Sequence, residues 1–178
     1  LFPEDYQNLD WGTDPEAVDF GGLYHNRFTV LRRAFEQGKQ KDLKDYHRFT
    51  KKNRDWLDDY ALFMAVKAHF DQRAWYQWPD EGIRMHKKKS VEQYQSLLKE
   101  DISFWKYVQY LFFTQWEQLK AYVNGLGIRL FGDMPIYVAL DSADAWAHPE
   151  VFWLDKERRP VCVAGCPPDY FSETGQLW

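Results

Sequence analysis

The sequence holds only two cysteines in 178 residues, Cys162 and Cys166. Small secreted domains stapled by disulfides carry more, and a zinc ribbon needs paired C-x-x-C elements with further ligands. Both are expected as reduced thiols. No apolar run approaches the roughly 20 residues that cross a bilayer as a helix, and residues 1–25 do not read as a secretory leader. Neither sign of charge prevails: 23 Lys and Arg stand against 27 Asp and Glu, a formal net charge of −4. Nothing therefore draws the chain as a whole toward nucleic acid or anionic lipid. A G-x-S-x-G elbow, a P-loop, a dinucleotide fingerprint and an internal repeat are all missing. Apolar residues are not scarce, at 45%, which excludes a disordered chain. What the sequence has in plenty is aromatic: 13 Phe, 11 Tyr and 9 Trp, 19% of all residues.

Most of the chain carries a helical period. Residues 1–25 are punctuated by Pro3, Gly12, Gly21 and Gly22 and read as loop. From Asn26 the spacing of Phe28, Leu31 and Phe35 predicts a helix closing at Gly38. A charged segment from Asp42 to Lys52 keeps Leu43, Tyr46 and Phe49 on one stripe. A strong helix follows over Asp55–Phe70, with Trp56, Tyr60, Phe63, Met64 and Ala68 in phase and Asn53 or Asp55 as its N-cap. Ser90-Val91-Glu92-Gln93 has the form of a capping box. It opens a long stretch, read as two helices with a break near Glu100-Asp101. Within that stretch Trp105, Val108, Phe112, Trp116, Leu119 and Val123 keep the period until Asn124-Gly125.

The character then changes. Gly127-Ile128-Arg129-Leu130-Phe131 reads as a buried strand that continues through Asp133 and Pro135 to Ile136-Tyr137-Val138, and a helix, a glycine and a strand make the rhythm of an α/β unit. Residues 139–178, with four Pro and two Gly, read as an extended loop region with short elements, of a length that is usually functional. One strand cannot complete a sheet or barrel. Leu1 is not a start residue, and Trp178 falls in mid-motif, so the chain is expected to be a piece of a longer protein.

Three places carry candidate chemistry. Asp133 sits where the strand-like run ends, the edge at which parallel α/β folds gather functional side chains. Tyr137 lies on the same side of an extended chain. A bland alternative has Asp133 capping the next turn or pairing with Arg129. In the tail, Tyr170, Phe171 and Trp178 flank Asp169, Glu173 and Gln176. Aromatic faces beside carboxylate and amide groups suit a sugar, whose C–H face packs on a ring while its hydroxyls are hydrogen-bonded; a plain surface loop pinned by its aromatics is the alternative. Asp141 to Glu150 lacks the spacing of a calcium loop, and one histidine is not a zinc site. A capped helical turn, started by Asp141 or Ser142 and stopped before Pro149, is expected there. The remaining histidines form no spaced pair and are assigned no chemistry.

Five blocks occur in a specific order. They are Trp56-Leu57-Asp58-Asp59-Tyr60-Ala61-Leu62-Phe63, the Trp75-Tyr76-x-Trp78-Pro79 loop, Gly127 to Val138, Asp141-Ser142-Ala143-Asp144-x-Trp146, and Val163 to Trp178. In this order they resemble the bacterial 4-α-glucanotransferases (amylomaltase, or disproportionating enzyme) from about residue 18 to 178. Cys166 stands where that family commonly has an apolar residue. The resemblance implies part of a (β/α)₈ TIM barrel with large helical insertions, predominantly helical over this stretch. Residues 1–125 would be the insertion and barrel helices, and residues 126–178 a barrel strand and a substrate-covering loop. It implies a cytoplasmic transferase of α-1,4-glucan segments between maltooligosaccharides, working by a retaining double displacement without metal or organic cofactor. The expected partners are maltooligosaccharide or α-1,4-glucan and the remainder of the same catalytic domain, with no nucleic acid and no membrane.

By the same resemblance Asp133, Tyr137, Asp169, Tyr170, Phe171, Gln176 and Trp178 would line or cover the glucan groove. The catalytic carboxylates would lie beyond Trp178, so this stretch alone is expected to be inactive. The competing readings are a noncatalytic carbohydrate-binding module, commonly a β-sandwich, and a helical interaction domain.

Overall fold

A computed structural model of the chain describes residues 1–14, 16–38 and 44–177. Its main helices are α1 (Phe20–Gly38), α2 (Lys44–Lys52), α3 (Arg54–His69), α4 (Glu81–Arg84), α5 (Lys88–Leu97), α6 (Lys99–Gly125) and α7 (Ala143–Ala147). Such a helical architecture is not the β-sandwich of common carbohydrate-binding modules.

Helix α1 begins six residues before the sequence predicts. The Asp19 carboxylate accepts the Gly22 N–H at 2.9 Å and the Asp19 carbonyl accepts the Leu23 N–H at 2.9 Å. An N-cap of this kind offsets the poor helix propensity of Gly21 and Gly22. Of the α2 stripe, Leu43 lies outside the described residues. Asn53 precedes α3 but does not cap it with its side chain; its amide donates back to the Phe49 carbonyl at 2.8 Å. Helix α3 is the centre of the molecule. It buries Leu57, Ala61, Leu62, Phe63, Ala65 and Val66, a wider face than the predicted stripe, while Trp56 stays partly in solvent.

The break in the long stretch falls at Leu98, two residues before Glu100. The Ser90–Gln93 capping box is not formed. Helix α5 starts at Lys88, and Ser90, inside its first turn, packs against Gly82 of α4. Helix α6 ends in a Schellman motif: Ile128 N–H bonds the Val123 carbonyl, Gly127 N–H bonds that of Asn124, and Gly127 takes φ +78°. At 27 residues α6 is about 40 Å long, whereas α3 reaches about 24 Å. Its first turns bury Phe104 and Trp105 against α1, α3 and α5. The later half of the predicted stripe, Phe112, Trp116 and Leu119, outruns those partners and stays exposed.

Three tryptophans close the core. Trp75, Trp78 and Trp146 are completely enclosed, and each indole N–H finds a carbonyl: Leu140 at 2.6 Å, Arg73 at 3.1 Å and Ile83 at 2.8 Å. A large apolar body with one satisfied donor suits a buried pin. The first and last of these bonds fasten residues 140–146 onto the helical core. Asp141 adds two contacts, accepting from the Lys67 ammonium and from the Trp75 N–H at 3.2 Å. Helix α7 is the expected capped turn: the Ser142 hydroxyl accepts the Ala145 N–H at 3.2 Å, and the helix stops before Pro149.

No strand forms over residues 128–138 among the described residues. Phe131, Met134 and Ile136, read as buried, are exposed. A strand is defined by hydrogen bonds to a neighbour, and no neighbour for this segment is present among the described residues. The strands that do form are β1 (Gly165–Cys166) and β2 (Gln176–Leu177), antiparallel, with Gly165 opposite Leu177 and Cys166 opposite Gln176. No described helix is long and apolar enough to cross a membrane, and both cysteines are free thiols.

Candidate functional site

The loop between β1 and β2 is short, turned and built on one carboxylate. Asp169 Oδ1 accepts the N–H groups of Phe171 and Ser172, both at 2.9 Å, while its own N–H donates to the Ser172 carbonyl at 2.9 Å. Ser172 then donates its hydroxyl to the Gly175 carbonyl at 2.8 Å. Gly175 takes φ +72°, and a Cβ there would stand 2.6 Å from the Cys166 carbonyl oxygen, so only glycine fits. Pro167 and Pro168 stiffen the entry. These bonds fix the backbone and leave two rings outside it. Tyr170 is 96% and Phe171 88% exposed, set edge to face with centroids 5.6 Å apart.

Geometry splits the tail candidates by role. Tyr170 and Phe171 do not pin the loop to the protein; Asp169 and Ser172 hold its shape, and the two rings project. One Asp169 oxygen is thus committed to the turn. Gln176 is held by the pairing of β2 with Cys166, its side chain facing solvent. Trp178 lies outside the described residues.

Asp133 is exposed and accepts the N–H of its neighbour Met134 at 2.8 Å, and no hydrogen-bonded turn follows it among the described residues. No ion pair joins it to Arg129 among the described residues. Tyr137 borders an apolar cleft of about 770 Å³ whose other walls include Leu140, Phe152, Trp153 and Val163. No hydrogen bond or ion pair among those described joins Asp133 to the 169–177 turn.

A charged cluster escaped the sequence reading. Asp59 on α3 receives two imidazoles, His86 Nε2 at 3.6 Å on one oxygen and His148 Nε2 at 3.7 Å on the other. His148 Nδ1 in turn stands 3.3 Å from Glu150. The His86 imidazole directed at Asp59, aided by the charges of both histidines, holds that carboxyl below the usual aspartate range. At 3.6 Å the contact is loose for a hydrogen bond, and His86 Nε2 is buried with no partner at bonding distance. The three residues are 27 and 62 positions apart in pairs, so no local spacing announces them. The cluster ties α3 to the ends of α4 and α7. Among the described residues no three His, Cys, Asp or Glu side chains are placed to hold a metal ion.

Comparison with known proteins bears on the loop and the helices together. A model of the family described as 4-alpha-glucanotransferase matches residues 3–178. A 4-alpha-glucanotransferase of Clostridium butyricum is 43% identical over 179 residues, covering all of this chain and 37% of that protein. One of Thermus thermophilus is 46% identical over 173 residues, 95% of this chain and 34% of the relative. The structure of amylomaltase from Streptococcus agalactiae in complex with acarbose superposes with a TM-score of 0.94 at 39% identity, covering the whole chain and 36% of its own. The chain therefore spans about a third of the length of the relatives it matches.

Proposed function

Because the chain belongs to the 4-alpha-glucanotransferase family, we propose that it supplies the glucan-covering turn and helical flank of an enzyme that moves α-1,4-glucan segments between maltooligosaccharides. The observation that carries this reading is the pair of projecting rings. Tyr170 and Phe171 stand almost wholly in solvent on a backbone fixed by Asp169. A free ring on a mobile loop loses conformational freedom when it meets a ligand; on a fixed turn that loss is already made. The faces of successive glucose units match such rings. The acarbose bound in the Streptococcus agalactiae structure is support from a relative of the same fold.

The proposed chemistry is a retaining double displacement. One carboxylate attacks the anomeric carbon and forms a covalent glycosyl intermediate; a second donates a proton to the departing oxygen, then takes one from the 4-hydroxyl of an acceptor glucan. Those carboxylates are assigned to segments other than residues 1–178. Residues 126–178 are assigned a strand of a (β/α)₈ barrel, ending at Asp133, and the covering loop, with residues 1–125 as insertion and barrel helices. The assigned setting is cytoplasmic and free of cofactor. Asp133, Tyr137, Gln176 and Trp178 are placed along the groove by this reading.

Transfer wins over hydrolysis only if water is kept from the intermediate while a sugar hydroxyl is admitted. Tyr170 and Phe171, presenting apolar faces from a rigid turn, are suited to both tasks. In an active enzyme carrying this turn, Phe171→Ala raises glucose released by hydrolysis relative to maltooligosaccharide formed by transfer from maltotriose. An unchanged ratio in both Phe171→Ala and Tyr170→Ala refutes the covering role.

A further inference from the structure

A separate cleft of about 510 Å³ opens between the turn at Trp75–Gln77 and a hairpin over residues 153–161. Among the described residues, none of those expected along the glucan groove lines it. The hairpin is closed by Val161 N–H on the Trp153 carbonyl at 3.0 Å and Asp155 N–H on that of Arg159 at 2.8 Å. Asp155 Oδ1 accepts the N–H groups of Glu157 and Arg159 at 2.9 and 2.8 Å. The tip therefore has a defined backbone, and Lys156, Glu157, Arg158 and Arg159 stand on it over the cleft.

Two features separate this cleft from an ordinary charged surface. Arg158 occupies the left-handed region at φ +61°, an uncommon conformation for a residue with a side chain. Its guanidinium is tied down by the carbonyls of Trp146 at 2.8 Å and Met85 at 3.0 Å, which holds a fixed positive charge at the wall. The second feature is the state of the other charges. Arg84 donates to the Trp78 carbonyl at 2.8 Å, and Glu81 is paired with Lys87 at 2.7 Å. Lys156 and Arg159, by contrast, have no side-chain partner among the described residues, nor does the Glu157 carboxylate. The lining carries four cations (Arg84, Lys156, Arg158, Arg159) against two carboxylates (Glu81, Glu157), in a chain whose net charge is −4. Beneath them lie Trp75, Met85 and Leu140, with the half-exposed ring of Tyr76 at the rim.

We infer that this cleft binds a phosphorylated hexose, free or as a phosphate-bearing unit of a glucan. Lys156 supplies a point charge and Arg159 a planar fork to the phosphate oxygens, in the field of the anchored Arg158. Tyr76 offers its face to the sugar ring, and Glu157 accepts from a hydroxyl. A simple polyanion is disfavoured by that unpartnered carboxylate, and a neutral sugar leaves the cations unmatched. A ligand with an anionic end and a hydroxyl-bearing end answers both.

The test is calorimetric titration of the 178-residue chain at low salt with glucose 6-phosphate and with a maltodextrin carrying 6-phosphate groups, beside glucose and inorganic phosphate. Saturable binding of either phosphorylated sugar is expected, with glucose and inorganic phosphate each weaker by about tenfold or more; the tighter of the two phosphorylated ligands identifies the source. The exposed pair Lys156→Ala/Arg159→Ala lowers the affinity by about tenfold or more with an unchanged circular dichroism spectrum. Tyr76→Ala weakens the sugar phosphate and leaves inorganic phosphate as it was. The inference is overturned if neither phosphorylated sugar saturates in the millimolar range, if inorganic phosphate binds as tightly as they do, or if the double variant binds like the parent.

Discussion

Trp146 is the side chain through which the irregular half of the chain is attached to the helices, and removing it has a cost that can be worked out. Its ring is completely buried, with the rings of His86, Trp78 and Phe63 at 4.5, 5.5 and 5.8 Å. Its N–H donates to the Ile83 carbonyl at 2.8 Å. That carbonyl also accepts the His86 N–H at 3.0 Å, so losing the indole leaves no orphaned acceptor. Trp146→Phe therefore costs one neutral hydrogen bond, about 0.5–1.5 kcal/mol, plus the smaller ring, for a total of about 1–3 kcal/mol. Trp146→Ala opens a cavity among three rings and costs about 3–5 kcal/mol. For a chain of this size each kcal/mol moves Tm by roughly 2–4 °C, hence a fall of roughly 2–12 °C for Phe and 6–20 °C for Ala. Thermal unfolding followed by circular dichroism measures both. The main-chain carbonyl of Trp146 receives Arg158; it survives in the Ala variant, but without the ring to fix α7 in place the 153–161 hairpin loosens, read as faster amide exchange there. A Tm unchanged in the Ala variant, or amide exchange in the hairpin as slow as in the parent, refutes the role given to this residue.

Gly82 faces Ser90 so closely that an added Cβ stands 2.1 Å from its hydroxyl oxygen; Gly82→Ala costs about 1–3 kcal/mol, and Ser90→Gly in the same chain recovers most of it, as denaturant midpoints will show. Asp59 is held below the ordinary aspartate range by His86 and His148, so the folded state prefers the ionised form. Its contribution is full above the unfolded value of about 3.9 and is lost as pH falls through the lowered folded value. The stability gap between the parent and Asp59→Asn therefore holds from neutral pH to about pH 4 and narrows below it; a gap that stays unchanged as the pH is taken well below that value contradicts the pairing. Gly175→Ala forces a Cβ against the Cys166 carbonyl and unmakes the turn under Tyr170 and Phe171, which proteolysis between β1 and β2 will detect.

The helices were legible because apolar spacing is a local property. Phe63 on α3 and Trp105 on α6 are buried as their phase predicts, and the capped turn at Ser142 was readable from three residues. The misses share a cause, dependence on what lies across space. The α6 stripe continues correctly through Trp116 and Leu119, yet burial needs a facing element, and α3 is too short to provide one. The strand-like run at 128–138 has the right residues and no ladder. Ser90 matches a capping box, but Gly82, eight residues earlier, admits its hydroxyl and lets the helix start at Lys88. The tryptophans point the same way: Trp75, Trp78 and Trp146 serve the core, and among the described residues the rings left for a ligand in the tail are Tyr170 and Phe171. Asp59 with His86 and His148 comes together only on folding, so its spacing carries no signal.

If the rings raised by the Asp169 turn meet glucan, diffraction from crystals soaked with acarbose shows a sugar ring stacked on Tyr170 or Phe171, with the Asp169-bonded backbone unmoved. Acarbose seated elsewhere on the chain, with both rings still in solvent, contradicts that contact.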